Sequence, residues 1–212
     1  GTLASYRLLA KDETTDGEVF WAYVRLQPKT PRYNNESYVD TLNPRAIDRF
    51  LEVTHEAYKK AVGREFGKTV PAIFTDEPQF TRKSRLGYAT SKSPVVLPWT
   101  DDLEETYTKT YGDSLVEKLP ELIWDLAEGE VSVARYRYHA HVSKRFAEAF
   151  SYQIGSWCEN NNIALTGHLM SEPKLSSQND FVGEAMASYG GFQIPGIDML
   201  CARWEFNTAK QC

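Results

Sequence analysis

The chain has 212 residues, of which 42% are hydrophobic and 25% charged, so it is long enough to bury one substantial core. A net charge of -5 at pH 7 and the lack of a lysine and arginine cluster exclude nucleic acid as an expected partner. No apolar run approaches the roughly 20 residues of a membrane helix, so no membrane partner is expected either. Cys158, Cys201 and Cys212 lack metal-ligand spacing, which predicts three free thiols and no cysteine-based metal site.

The first elements predicted in chain order are two strands, at residues 3–10 and 19–26, separated by a polar turn. Residues 28–43 are rich in proline and asparagine, which is typical of a loop. Asn43 and Pro44 then have the residue types of a helix cap and a first helical turn. An apolar stripe at helical spacing follows and predicts a helix to about residue 61.

The stretch 69–78 reads Thr-Val-Pro-Ala-Ile-Phe-Thr-Asp-Glu-Pro, in which an apolar run ends in two adjacent carboxylates. The apolar residues suit a strand that is buried on both faces, as in a parallel sheet. Pro78 cannot continue the hydrogen-bond ladder. We therefore expect a strand that ends where Asp76 and Glu77 begin.

Helical patterns dominate the next part of the chain. Asp101 and Glu104 have the spacing of a capping box at the start of a helix that Gly112 ends. A second helical segment is predicted near 115–126. The longest helical pattern covers 132–160.

A second strand, within residues 163–173, also runs from apolar residues into a Glu-Pro pair. Side chains alternate along a strand, so His168, Met170 and Glu172 would share one face if the extended conformation continued that far. A short helix is predicted at 180–189.

A third strand is predicted at 194–200, ending near Asp198. The alternation of strands and helices is typical of right-handed βαβ units. The predicted fold class is therefore α/β, a parallel-strand TIM-type (β/α) barrel. Since a complete barrel takes about 250 residues and only three or four βα units fit here, residues 1–212 are interpreted as a single segment of about half a barrel, excised from a larger enzyme.

Carboxylates at the ends of neighbouring strands are the minimum set for glycoside hydrolysis, in which one acid protonates the leaving oxygen and one carboxylate activates water or attacks. Glu77 and Glu172 are the predicted catalytic pair. The expected substrate-binding residues share proximity to these strand ends and are Asp76, Trp99, His168 and Asp198. Trp99 suits either a platform for a sugar ring or a plug in a loop.

The local sequence also suggests which carboxylate holds the proton. Glu77 lies between apolar residues, which would raise its pKa and suit a general acid. Glu172 lies near Lys174, Ser176 and Ser177, which would favour its ionised form and suit a base.

The order of several sequence blocks resembles glycoside hydrolase family 106, the α-L-rhamnosidases, and their relatives, over roughly residues 38–212. The blocks are Asn43-Pro-Arg-Ala-Ile-Asp-Arg-Phe50, Phe74-Thr-Asp-Glu-Pro78, Leu97-Pro-Trp-Thr-Asp-Asp102, Arg135-Tyr-Arg-Tyr138, Thr166-Gly-His168 and Pro195-Gly-Ile-Asp198. Glu77 matches an acid position of that family, whereas Ser171-Glu172-Pro173 departs from its pattern. The resemblance implies a barrel domain, inverting hydrolysis by glutamates, calcium at the sugar site and breakdown of polysaccharides outside the cytoplasm of bacteria.

Two other functions fit the same residues. One is a carbohydrate-binding segment without catalysis. The other is a metal-dependent hydrolase that uses Asp76, Glu77, His168 and Asp198, although no strand carries a paired-histidine motif. As a partial barrel, the isolated segment is expected to be inactive and to self-associate through exposed sheet edges.

Overall fold

The computed structural model describes residues 2–88, 90–127, 129–199 and 206–212, so Cys201 and the end of the third predicted strand at Leu200 lie outside the described residues. The chain divides into two compact units. Unit 1 comprises residues 1–38, 86–94 and 102–138, and unit 2 comprises residues 39–85, 95–101 and 139–212.

The helices and strands alternate along the chain, as expected for an α/β protein. In order they are α1 (Pro44–Val53), α2 (His55–Val62), β1 (Ala72–Asp76), α3 (Leu103–Tyr111), α4 (Val133–Phe146), α5 (Gln153–Asn160), β2 (Ala164–His168), α6 (Leu175–Phe181), α7 (Ala185–Tyr189), β3 (Ile194–Pro195) and α8 (Phe206–Gln211). Short 3₁₀ turns cover Pro31–Tyr33, Gly63–Glu65 and Leu119–Leu122, and a π-helical segment covers Ala147–Tyr152. No helix of the described residues has both the length and the apolar character needed to cross a membrane.

The two strands predicted near the amino terminus are wrong. Within the described part of unit 1, residues 3–10 and 19–26 belong to no strand. A strand needs a ladder partner, and the apolar side chains of the second segment instead face solvent, with Trp21 76% and Leu26 88% exposed. Phe20 is an exception in that its ring packs 4.5 Å from the ring of Trp124.

The structure has the helix that was predicted after Asn43, and Asn43 is its N-cap, as expected. The Asn43 side chain accepts a hydrogen bond from the Arg45 amide, and Pro44 occupies the first turn. The predicted single helix is divided at Thr54, whose hydroxyl donates to the Phe50 carbonyl at 2.6 Å. The Thr54 amide donates to the same carbonyl, so the hydroxyl shares this acceptor at the boundary between α1 and α2.

Two further helix predictions are corrected in unit 1. Gly112 ends α3 with φ 78°, as predicted, but Glu104 forms no capping box. Its carboxylate instead accepts hydrogen bonds from the Ser114 hydroxyl and the Val116 amide. Residues 115–126 form only the 3₁₀ turn Leu119–Leu122, because Pro120 removes an amide donor.

Among the described residues, the sheet of unit 2 has three parallel strands in the order β1-β2-β3. The register places Ala72 opposite Ala164 and Asp76 opposite His168. The core behind it includes Phe146 and Phe150, whose stacked rings lie 5.7 Å apart. The α/β prediction is thus confirmed for a small parallel sheet, while closure into part of a barrel stays a prediction.

The expectation that the first strand is buried on both faces is wrong. Phe74 in β1 is 62% exposed, and its ring makes an edge contact with the ring of His168 at 5.6 Å. The reason is position, since β1 lies at one edge of the described sheet. An apolar run alone does not distinguish an edge strand from a central one.

Candidate functional site

The candidate site lies where the three parallel strands of unit 2 end. Asp76 and His168 are the last residues of β1 and β2, and Glu77 and Asp198 follow β1 and β3. The amide of Glu77 donates a hydrogen bond to the carbonyl of His168 at 3.1 Å, which joins the two strand ends. The structure therefore brings four of the predicted site residues to one edge of the sheet.

Three of these side chains converge on a common point. One ligand atom from each of Glu77, His168 and Asp198 lies within 4.8 Å of the other two. The Nε2 atom of His168 is 3.0 Å from Oδ1 of Asp76 and 3.8 Å from Oδ2 of Asp198. This nitrogen is sealed from solvent and has no hydrogen bond among the described residues, because the short approach of Asp76 lacks hydrogen-bond geometry.

The backbone at these strand ends is unusual, which explains how the side chains meet. Glu77 has φ 47°, a left-handed conformation that is uncommon outside glycine and that often marks functional sites. Gly167 has φ 132°, and a Cβ built on it would lie 1.9 Å from the Thr75 carbonyl oxygen. Only glycine permits β1 and β2 to approach so closely directly before His168.

Glu172 lies next to this cluster but below the surface. Glu172 is 3% exposed, and its Oε1 atom accepts a hydrogen bond from the Leu169 amide at 2.8 Å. Strand β2 ends at His168 and a turn follows, with Ser171 at φ 59°, so the predicted alternation of His168, Met170 and Glu172 on one strand face is wrong. The carboxylate of Glu172 holds the turn instead of lining an open cleft.

The predicted ionisation of Glu172 is also corrected. Burial raises the pKa of Glu172, and this outweighs the hydrogen bonds from the Leu169 and Asp198 amides, which favour the charged form. The neighbours of Glu172 in the sequence are polar, but Lys174 and Ser176 are exposed, whereas Glu172 is buried.

Trp99, the predicted sugar platform, is half-buried in unit 2. The next residue, Thr100, is buried and donates a hydrogen bond from its hydroxyl to Oδ2 of Asp40 at 2.6 Å. That bond anchors the segment that carries Trp99. The role of Trp99 in sugar binding stays a prediction.

Tyr189 is a site residue that the sequence did not indicate. Its hydroxyl donates to the Gly196 carbonyl at 3.0 Å and accepts from the Leu169 amide at 3.2 Å. It therefore connects the turn after β2 to the segment after β3, which carries Asp198. A tyrosine within a short predicted helix carries no sequence signal for such a contact.

Lys83 is a buried lysine that the sequence did not indicate. It is 4% exposed, with Nζ 2.9 Å from Nδ1 of His139 and donating to Oδ1 of Asn179 at 3.1 Å. Burial lowers the pKa of Lys83 to about 7, and the nearby charge of Asp180 opposes this only in part. The residue falls in a stretch that reads as an irregular polar loop, so nothing in the sequence marked it as buried.

The donor set at the strand ends does not match the ion implied by the family resemblance. Calcium takes six to eight oxygen ligands. Here the carboxylates of Glu77 and Asp198 surround an imidazole nitrogen, and imidazole suits transition ions such as zinc.

The sequence matches no protein-family model and no curated protein. In structure, the chain is similar to a rhamnosidase from Novosphingobium sp. PP1Y, with a TM-score of 0.51 and 16% sequence identity. The similarity covers 74% of this chain and 13% of that chain, so the present chain spans a small part of the neighbour's length. At this identity the likeness is one of fold, and it relates the α/β arrangement described above to a segment of a glycoside hydrolase.

Proposed function

We propose that this chain contributes to the catalytic site of a glycoside hydrolase that resembles an α-L-rhamnosidase. The observation that carries the proposal is the convergence of Glu77, His168 and Asp198 at the carboxyl ends of parallel strands. In α/β folds this edge of the sheet is where ligands bind. The fold similarity to part of a rhamnosidase supports a sugar as the ligand.

In the proposed reaction, Glu77 and Glu172 form the catalytic pair and the glycosidic bond is hydrolysed with inversion. Glu77 is half-exposed at the strand ends and suits the carboxylate that activates water. Glu172 is buried, which favours a protonated carboxyl, so we assign the proton donor to Glu172 and not to Glu77. To reach a leaving oxygen, the turn that holds Glu172 has to open.

The sugar hydroxyl groups have polar partners at the same edge of the sheet. Asp76 is 75% exposed and Asp198 is 31% exposed, so both carboxylates are open to a ligand. The imidazole of His168 lies within 4 Å of both carboxylates and is proposed to bind the same sugar. Trp99 is proposed to stack on a sugar ring. The substrate class is a bacterial polysaccharide or glycan, and an extracytoplasmic location belongs to the same proposal.

A three-stranded sheet encloses little of a substrate. We therefore propose that the 212-residue chain alone turns over an aryl rhamnoside barely above the rate in buffer, and that a longer polypeptide completes the pocket. Clear turnover by the isolated monomer would contradict this part of the proposal.

The catalytic assignment is tested by comparing leaving groups, in a polypeptide that completes the pocket. Substrates with poor leaving groups need a proton from the general acid, whereas nitrophenyl glycosides need it much less. Glu172→Gln should slow an alkyl rhamnoside by about 100-fold or more and a nitrophenyl rhamnoside much less. Glu77→Gln should slow both to a similar degree.

The outcomes separate the assignments. Equal losses in Glu172→Gln would make Glu172 a positioning residue, and a selective loss in Glu77→Gln would restore Glu77 as the acid. If neither variant slows hydrolysis but sugar binding persists, the chain is a carbohydrate-binding segment without catalysis.

A further inference from the structure

The cluster at the strand ends contains side chains of the types that bind metal ions. The three donors are one imidazole nitrogen and two carboxylates, from Glu77, His168 and Asp198, and they come from three different strand ends. Donors that are far apart in sequence meet here because the parallel register places Asp76 opposite His168. The sequence analysis places the same residues at neighbouring strand ends, and the structure brings their ligand atoms together.

His168 presents a buried nitrogen to the carboxylates of the cluster. Its side chain is 13% exposed, and Nε2 has no hydrogen bond among the described residues. A nitrogen without a hydrogen bond can become an ion ligand without breaking an existing bond. Two carboxylates lie within 4 Å of this nitrogen, from Asp76 at 3.0 Å and Asp198 at 3.8 Å.

The distances suit a small ion. In a tetrahedral zinc site with bonds near 2.0–2.1 Å, the ligand atoms lie roughly 3.3 Å apart. The ligand atoms of Glu77, His168 and Asp198 lie within 4.8 Å of one another, with 3.8 Å between Nε2 of His168 and Oδ2 of Asp198, so a bound ion would draw them inward by up to about 1.5 Å. Three protein ligands also leave one position open, as in sites that bind a further ligand.

We propose that Glu77, His168 and Asp198 form a binding site for a divalent transition ion of the zinc class, in preference to calcium. Asp76 lies beside the site and adds negative charge. The proposal concerns ion binding and does not rest on glycoside hydrolysis. If both proposals hold, a bound ion and the hydrolytic reaction compete for the carboxylate of Glu77.

The test is a calorimetric titration of the metal-free chain with zinc chloride, and separately with calcium chloride. One zinc ion per chain should bind, at least about 100-fold more tightly than calcium, since imidazole is a poor calcium ligand. Asp198→Asn keeps the side-chain shape and should weaken zinc binding by at least about 10-fold. Glu159→Gln, an exposed carboxylate at the end of α5, is the matched control and should leave the affinity unchanged.

A second measurement does not depend on the folding of any variant. In the wild-type chain with ¹⁵N-labelled histidine, zinc should shift the Nε2 resonance of His168 at one equivalent. His55, His139 and His141 should respond only to excess zinc.

Three outcomes would overturn the proposal: no saturable zinc binding, calcium binding of equal affinity, or zinc binding that Asp198→Asn does not weaken in a folded chain. Hydrolysis that neither Glu172→Gln nor Glu77→Gln slows, together with normal zinc binding, would refute the proposed function alone.

Discussion

Asp76 and His168 are register partners on adjacent parallel strands, and Oδ1 of Asp76 lies 3.0 Å from Nε2 of His168. The two residues differ sharply in environment, because the Asp76 side chain is 75% exposed and the His168 side chain only 13%. The pair therefore connects a buried imidazole to the open edge of the sheet. Any change in the register of β1 and β2 would separate them.

Gly167→Ala tests the dependence on this register. The added methyl group would lie 1.9 Å from the Thr75 carbonyl oxygen at a backbone φ of 132°. We expect a loss of about 3 kcal/mol or more in the free energy of unfolding, from steric overlap and backbone strain together. Urea unfolding followed by circular dichroism measures it.

Gly87→Ala is the matched control, because its added methyl group would meet nothing within 4 Å. Its free energy of unfolding should stay within about 0.5 kcal/mol of wild type. A Gly167→Ala variant as stable as this control would show that the strands do not approach as described.

Lys83 should make stability depend on pH. Its pKa is about 7 in the folded chain and near 10.5 when unfolded, so the unfolded chain binds more protons between these values. The contribution of Lys83 to the free energy of unfolding therefore rises with pH above about 7, with a slope of up to roughly 1.4 kcal/mol per pH unit. Below pH 7, Lys83 is charged in both states and the slope from this group vanishes.

Lys83→Met should remove that rise, and Lys60→Met, at an exposed lysine of α2, should keep it. Urea unfolding of the three proteins at pH 7 and pH 9 provides the comparison. The same rise in stability for Lys83→Met and wild type would contradict a buried Lys83 that is largely neutral above pH 7.

Sequence patterns placed Glu77 and His168 at the ends of two neighbouring strands, as the structure has them, because an apolar run that ends in polar residues is a local signal. The burial of Glu172 was not predictable in this way, since it depends on the turn after β2 and on hydrogen bonds from the Leu169 and Asp198 amides. Likewise, residues 19–26 have the composition of a strand but no partner strand in the described structure.

The edge strand β1 provides a test of self-association. A strand at the edge of a sheet presents unpaired backbone groups, and Phe74 adds an apolar surface that is 62% exposed. We expect the chain to form dimers at micromolar to millimolar concentration in sedimentation experiments. Phe74→Lys should shift the equilibrium towards monomer, because lysine on an edge opposes strand pairing.

Tyr136→Lys is the control for that experiment, since Tyr136 is similarly exposed, at 73%, but lies on α4. It should leave the association constant unchanged. A wild-type chain that stays monomeric, or equal effects of both variants, would argue against pairing through β1.

Sugar binding at the strand ends of unit 2 can be measured by titrating the ¹⁵N-labelled chain with L-rhamnose and recording amide resonances. Saturable shifts are expected at Glu77, His168 and Asp198 at millimolar sugar, and these shifts should be lost in Asp198→Asn but not in Glu159→Gln. Shifts confined to unit 1, or no saturable shifts at any of these three residues, would contradict sugar binding at these strand ends.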